Sequence, residues 1–194
     1  FINGTATIQL HVPPPLDAPL EVVRTPAGVT LVDKGKLIAK GWASELQLDV
    51  PSPPSPEEAE LASRSFCGFK SHRFSSCFVC GHDRKESDGL HIFAGPVSGR
   101  DIVACTWIPN VSLAPYGKTV SSEFAWAALD CPGGFSFPEP DHGSIVLGEL
   151  TAQLREPLIA GQRYVVMGWE ISQDGRKHHT GTALFSESGK CCGV

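Results

Sequence analysis

Two carboxylates and a pair of cysteines are the residues of this 194-residue chain whose types and spacing could do chemistry. Glu123 and Asp130 stand in the run Val120–Asp130, with Phe124, Ala125, Trp126, Ala127, Ala128 and Leu129 around them. On a helix, seven residues are about two turns, so the two acids would share one face. Glu123 falls in the first turn, where the helix dipole favours negative charge; Asp130 falls in the last, where the dipole opposes it. The neighbours Leu129, Cys131 and Pro132 are apolar, and burial and dipole together raise the Asp130 pKa. That is how a general base or a water-orienting group is prepared. A carboxylate so placed can also simply hydrogen-bond a loop amide. Glu123 reads first as a favourable first-turn charge, and Trp126 first as core.

The segment Cys77-Phe78-Val79-Cys80-Gly81-His82 offers a second chemistry. With Cys67 and His72 as third and fourth donors it would suit tetrahedral zinc. Only one Cys-x-x-Cys is present, however, and Cys67, His72 and His82 make no second pair at finger spacing. A redox pair belongs at the start of a helix after a strand, whereas Gly81, Asp83, Ser87 and Gly89 spell loop. The default expectation is a buried, turn-forming segment with no metal and no cofactor.

The elements that must position these groups are mostly strands. Thr5–Val12 alternates in polarity, Leu20–Val23 follows a proline-rich turn, and Val29–Val32 and Leu37–Trp42 flank a turn at Asp33-Lys34-Gly35. Pro51–Pro56 is a stiff linker, placing a domain boundary within 47–76. Glu57–Ala62 forms a short helix, with Ser55 as N-cap and Pro56 at N1. Leu90–Phe93 and Ile102–Trp107 read as a hairpin across Gly95–Gly99. The helix Val120–Asp130 comes next, capped by Ser121 or Ser122, apolar nearly all round and so buried on most sides, until Pro132-Gly133-Gly134 ends or kinks it.

The last fifty residues repeat the plan of the first forty. Gln153-Leu154 answers Gln9-Leu10 at an offset of 144, Tyr164-Val165-Val166 answers Leu20–Val23, and Gly175, Gly181 and Ala183 answer Gly35, Gly41 and Ala43 at an offset of 140. Order and spacing agree over about forty residues, which points to an internal duplication. The first copy lacks the helix, whose counterpart is expected upstream of Phe1.

Composition sets the class. Hydrophobic residues are 41% and charged residues 19%, with a formal net charge of −5. The nearest basic cluster, Arg176–His179, is too short for a nucleic-acid groove, and no apolar stretch approaches the about 20 residues of a membrane span. Seven cysteines, an odd number, suit a reducing compartment, and a cytoplasmic location is expected. Adjacent Cys191 and Cys192 sit in a strand, facing opposite sides.

The stretch Cys77–Gly81 followed by Asp88-Gly89-Leu90-His91-Ile92-Phe93 resembles hotdog-fold acyl-CoA thioesterases of the phenylacetic-acid-pathway type. In those proteins the central helix begins His-Gly-Gly and carries an acid nine residues later. Here Ser121 takes the His place and Asp130 the acidic place, and Ala152–Val166 follows the family's pattern after the helix. The resemblance implies an α+β hotdog fold, an antiparallel sheet around the helix. It divides the chain into strands of an incomplete first copy (1–46), a linker (47–76) and a second hotdog domain (77–194).

What the resemblance implies for function is acyl-CoA or acyl-thioester hydrolysis. Asp130 activates water or attacks the carbonyl, with Glu123 second. Ser121, Ser122, Trp126, Gly133 and Gly134 line the substrate site, and amides at the helix N-terminus polarise the thioester carbonyl. The chain is expected to pair as a homodimer or an internal pseudo-dimer. Ser121-Ser122-Glu123 departs from His-Gly-Gly, putting a negative charge where an oxyanion should form, so a non-catalytic acyl or lipid-binding protein is the alternative.

Overall fold

The computed structural model describes residues 4–137 and 145–194. The chain packs as two units, Phe1–Gln47 with Val146–Gln153, and Leu48–Ile145 with Leu154–Val194. Strands β1 (Thr5–Leu10), β2 (Glu21–Thr25), β3 (Gly28–Asp33) and β4 (Lys36–Ala43) lie in the first unit. Strands β5 (Gly95–Pro96), β6 (Val103–Trp107), β8 (Tyr164–Asp174), β9 (Lys177–Ser186) and β10 (Cys191–Gly193) lie in the second, while β7 (Glu149–Gln153) belongs to the first.

The first unit is an antiparallel sheet in the order β2-β3-β4-β1-β7. The β3–β4 hairpin turns through Lys34 and Gly35, both at positive φ (47° and 82°), the two-residue turn whose twist matches its strands. Gly28 is needed where β3 crosses β4, because a Cβ there would lie 2.2 Å from the Gly41 carbonyl oxygen. Thr7 is buried, and its hydroxyl bonds both Ser44 Oγ and Thr151 Oγ1 at 2.7 Å, so its burial leaves nothing unpaired. The segment Leu20–Val23 leads into the edge strand β2, which pairs with β3 alone, whereas Tyr164–Val166 opens β8, which pairs with both β6 and β9. The two segments therefore differ in their pairing.

The second unit is an antiparallel sheet in the order β10-β9-β8-β6-β5. The first six residues of β8, Tyr164–Trp169, are all buried and the last five all exposed, so the apolar half forms the centre of the core. Helix α1 (Pro56–Ser63) starts at Ser55, whose hydroxyl accepts from the Glu58 amide while the Glu58 carboxylate accepts from the Ser55 amide. Its Ala59 and Ala62 are buried against β6. Gly95 makes room for this helix, since a Cβ there would meet the Ala62 carbonyl oxygen at 2.0 Å.

Two expectations are corrected. The run Val120–Asp130 holds one helix, α2, but it is shorter at both ends than expected, spanning Ser122–Ala128, and a separate turn, α3, follows at Cys131–Gly134. Pro132 is the reason at the C-terminal end. Its ring would meet the carbonyl four residues back, that of Ala128, and it has no N–H to give, so the first helix stops there and proline sits in the opening turn of the next. The helix is covered on most sides, as expected: Ala125, Ala128 and Leu129 face the core, Phe124, Trp126 and Ala127 are half-buried, and Glu123 is exposed. Leu90–Phe93, expected as a strand, is interrupted by His91 at φ 53°. Its Leu90 and Ile92 amides instead bond the carbonyls of Phe78 and Val79. The hairpin partner of β6 is the short β5.

Candidate functional site

Asp130 occupies the joint between α2 and α3, where its backbone amide still closes a turn on Ala127. This joint is anchored from the sheet. Thr182 of β9 donates to the Leu129 carbonyl at 2.8 Å, and Gly168 of β8 lets α3 approach so closely that a Cβ there would lie 2.4 Å from the Pro132 carbonyl oxygen. Burial, and after it the charge on the Cys77 sulfur, push the Asp130 carboxyl up to about 6. The direction agrees with the sequence reading, but the second cause is a cysteine rather than the helix end.

The other site candidates are spread out. Glu123 is exposed in the first turn of α2, while Asp130 is half-buried at the joint, so the two acids do not share an environment. Ser121 is the N-cap of α2 in extended geometry with no capping bond from its hydroxyl, and Ser122 opens the helix. Trp126 is half-buried. Gly133 is buried against Thr180, whose Oγ1 a Cβ would approach to 2.5 Å, and this identifies it as a packing glycine. Gly134 has open space around its Cβ position.

What the structure brings to Asp130 is sulfur. Cys131 Sγ lies 3.2 Å from Cys80 Sγ and 3.7 Å from Cys77 Sγ, closing a triangle whose sulfurs all lie within 4.8 Å of one another. The expected turn at Cys77–Gly81 is present. The Gly81 amide bonds the Cys77 carbonyl, and a Cβ on Gly81 would sit 2.5 Å from Cys77 backbone atoms. The amides of Val79 and Cys80 are turned toward Cys77 Sγ, the former at 3.4 Å. The Cys77 thiol is held well below the usual range, first by a hydrogen bond from Cys131, and Cys131 is correspondingly pushed up. His72 Nε2 stands 3.2 Å from Cys80 Sγ. Phe66 and Phe135 flank the His72 ring at 6.0 and 5.6 Å between centroids. In the sequence Cys131 stood out only as an apolar neighbour of Asp130, and its place directly after that acid and before Pro132 was the available signal.

A cleft of about 650 Å³ opens elsewhere on the second unit, lined by Ile102 and Val103 of β6, Phe135 and Phe137 after α3, and Glu170 and Ser172 of β8. Neither Asp130 nor Glu123 lines it. No helix among the described residues is long and apolar enough to cross a membrane.

No protein-family model matches the chain, and no curated protein does. Solved structures do. The tesB protein of Mycobacterium avium subs paratuberculosis superposes with a TM-score of 0.58 at 11% identity, over 97% of this chain and 74% of that one. The dehydratase domain of RzxB from Pseudomonas fluorescens superposes with a TM-score of 0.53 at 16% identity, over 100% of this chain and 74% of that one. A thioesterase superfamily protein matches at 16% identity and a TM-score of 0.43, over 53% of this chain, which spans about half (52%) of that protein's length. At such identities the likeness speaks for architecture alone, and on architecture the chain is a hotdog-type α+β protein.

Proposed function

We propose that this protein hydrolyses an acyl thioester of the acyl-CoA class, with Asp130 as the group that activates water. The observation that carries the reading is a half-buried carboxylate, its pKa raised by burial, at the anchored α2–α3 joint of a fold shared with thioesterase structures. In the simplest course Asp130 accepts a proton from water as its oxygen bonds the thioester carbonyl carbon. The carbon–sulfur bond then breaks, and the proton leaves with the thiol. Direct attack by the carboxylate is the covalent variant of the same step. Ser121 and Ser122 at the start of α2, with Trp126 and Gly134, position the substrate, and Glu123 is the second acid. The test is release of free thiol from a panel of acyl-CoAs by the full chain, beside Asp130→Asn. Activity lost in the variant supports the role, and equal turnover removes Asp130 from it.

A second reading, acyl binding without cleavage, is favoured by one observation. Glu123 puts an exposed negative charge in the first turn of α2, where an oxyanion would need donors. Retention of an acyl-CoA with no thiol release across the panel would select it.

We further infer that the chain is an internal duplication, with residues 1–46 as the back half of one hotdog copy, 47–76 as the connection and 77–194 as the second copy. Two registers support this. Val29 faces Gly41 across β3–β4 and Trp169 faces Gly181 across β8–β9, the same pairing displaced by 140. Thr7 of β1 faces Thr151 of β7, its own counterpart at the offset of 144, as a local twofold relation requires.

A further inference from the structure

We propose that Cys77, Cys80 and Cys131 are three thiolate ligands of a zinc ion, a site that joins the Cys-x-x-Cys turn to the first residue of α3. Among the described residues these three form the group of metal-binding side chains whose donor atoms lie within 4.8 Å of one another. Tetrahedral zinc with bonds of about 2.3 Å sets its sulfur ligands about 3.8 Å apart. The Cys77–Cys131 separation of 3.7 Å meets that spacing, and the Cys80–Cys131 separation of 3.2 Å needs a shift of about half an ångström. A disulfide fits worse, because its sulfurs stand about 2.05 Å apart.

The surroundings are built for thiolates. Amides of Val79 and Cys80 face Cys77 Sγ, and tight closure of that turn is why position 81 is glycine. Donors to ligand sulfurs are the usual outer layer of a metal site. His72 belongs to the same layer. The Phe74 amide donates to His72 Nδ1 at 3.0 Å, so in the neutral ring the proton sits on Nε2, which then donates to Cys80 Sγ. A histidine that binds metal through one ring nitrogen ordinarily donates from the other, the reverse of this arrangement. The fourth metal position therefore goes to a donor other than His72. Phe66 and Phe135 beside the imidazole limit solvent near the sulfurs, where three anionic ligands need a cation. Such an ion would tie residues more than fifty positions apart across the joint that carries Asp130.

The test uses the full chain, stripped of metal by a chelator and kept reduced with a phosphine, then titrated with Co²⁺ and afterwards with Zn²⁺. Expected is saturation near one Co²⁺ per chain with thiolate-to-cobalt charge-transfer absorption. Zn²⁺ abolishes that absorption. Cys131→Ser weakens binding at least about tenfold, and Cys105→Ser, remote from the cluster, leaves it unchanged. The absence of charge-transfer absorption in the wild-type chain overturns the proposal, whatever the variants do. So does a Cys131→Ser protein that gives the same spectrum and affinity as wild type.

Discussion

Thr182 Oγ1 donates a buried 2.8 Å hydrogen bond to the Leu129 carbonyl, so strand β9 holds the joint at which α2 ends and α3 begins. Replacing it by the near-isosteric valine strands that carbonyl without a partner. Thr182→Val should cost about 1–3 kcal/mol in urea unfolding. A variant as stable as wild type would show that the joint is held elsewhere.

Gly168 is the other half of that anchor. A methyl group there must push the Pro132 carbonyl away from 2.4 Å. Gly168→Ala is expected to destabilise by about 1–3 kcal/mol, whereas Gly134→Ala, with open space at its Cβ position, should change stability little. The contrast between the two, read in one set of thermal melts, checks how closely α3 approaches β8.

The start of α1 predicts a pH dependence. Bonds from the Ser55 backbone, then its side chain, lower the Glu58 pKa. A lowered folded-state pKa contributes stability that is present above the unfolded pKa and lost as pH falls through the folded one. Wild type should therefore exceed Glu58→Gln in stability at neutral pH, with the gap closing in acid. Ser55→Ala should cost about 1 kcal/mol at neutral pH. A gap between wild type and Glu58→Gln that does not change with pH would contradict the cap.

The cysteines should separate by reactivity. Cys105 is buried on β6, and desolvation pushes its thiol up to about 12, whereas Cys67 is exposed. Alkylation of the native chain near pH 8, followed peptide by peptide, should mark Cys67 early and Cys105 only on unfolding. Early labelling of Cys105 would refute its placement.

These contacts show what could be read in the residues and what could not. β1, the Lys34-Gly35 hairpin and α1 were legible because their signals are local: alternation, a turn glycine, a serine followed by proline and glutamate. Pro132 was legible as the stop of α2, and at that end only the last two residues were misplaced, because proline acts on the carbonyl four residues before it, that of Ala128. Leu90–Phe93 was misjudged because its amides find partners in the cysteine loop. The position of Asp130 was anticipated from its helix, but its sulfur neighbours were not, since Cys80 and Cys131 are 51 positions apart and only the fold joins them.

The central claim is that Asp130 activates water for thioester hydrolysis. The most direct measurement is kcat for acyl-CoA hydrolysis by Asp130→Asn relative to wild type, at saturating substrate and with matched metal content. Loss of a positioned general base should lower kcat by about 10²–10⁴-fold with the fold intact. A folded Asp130→Asn protein that turns over as fast as wild type would contradict the account.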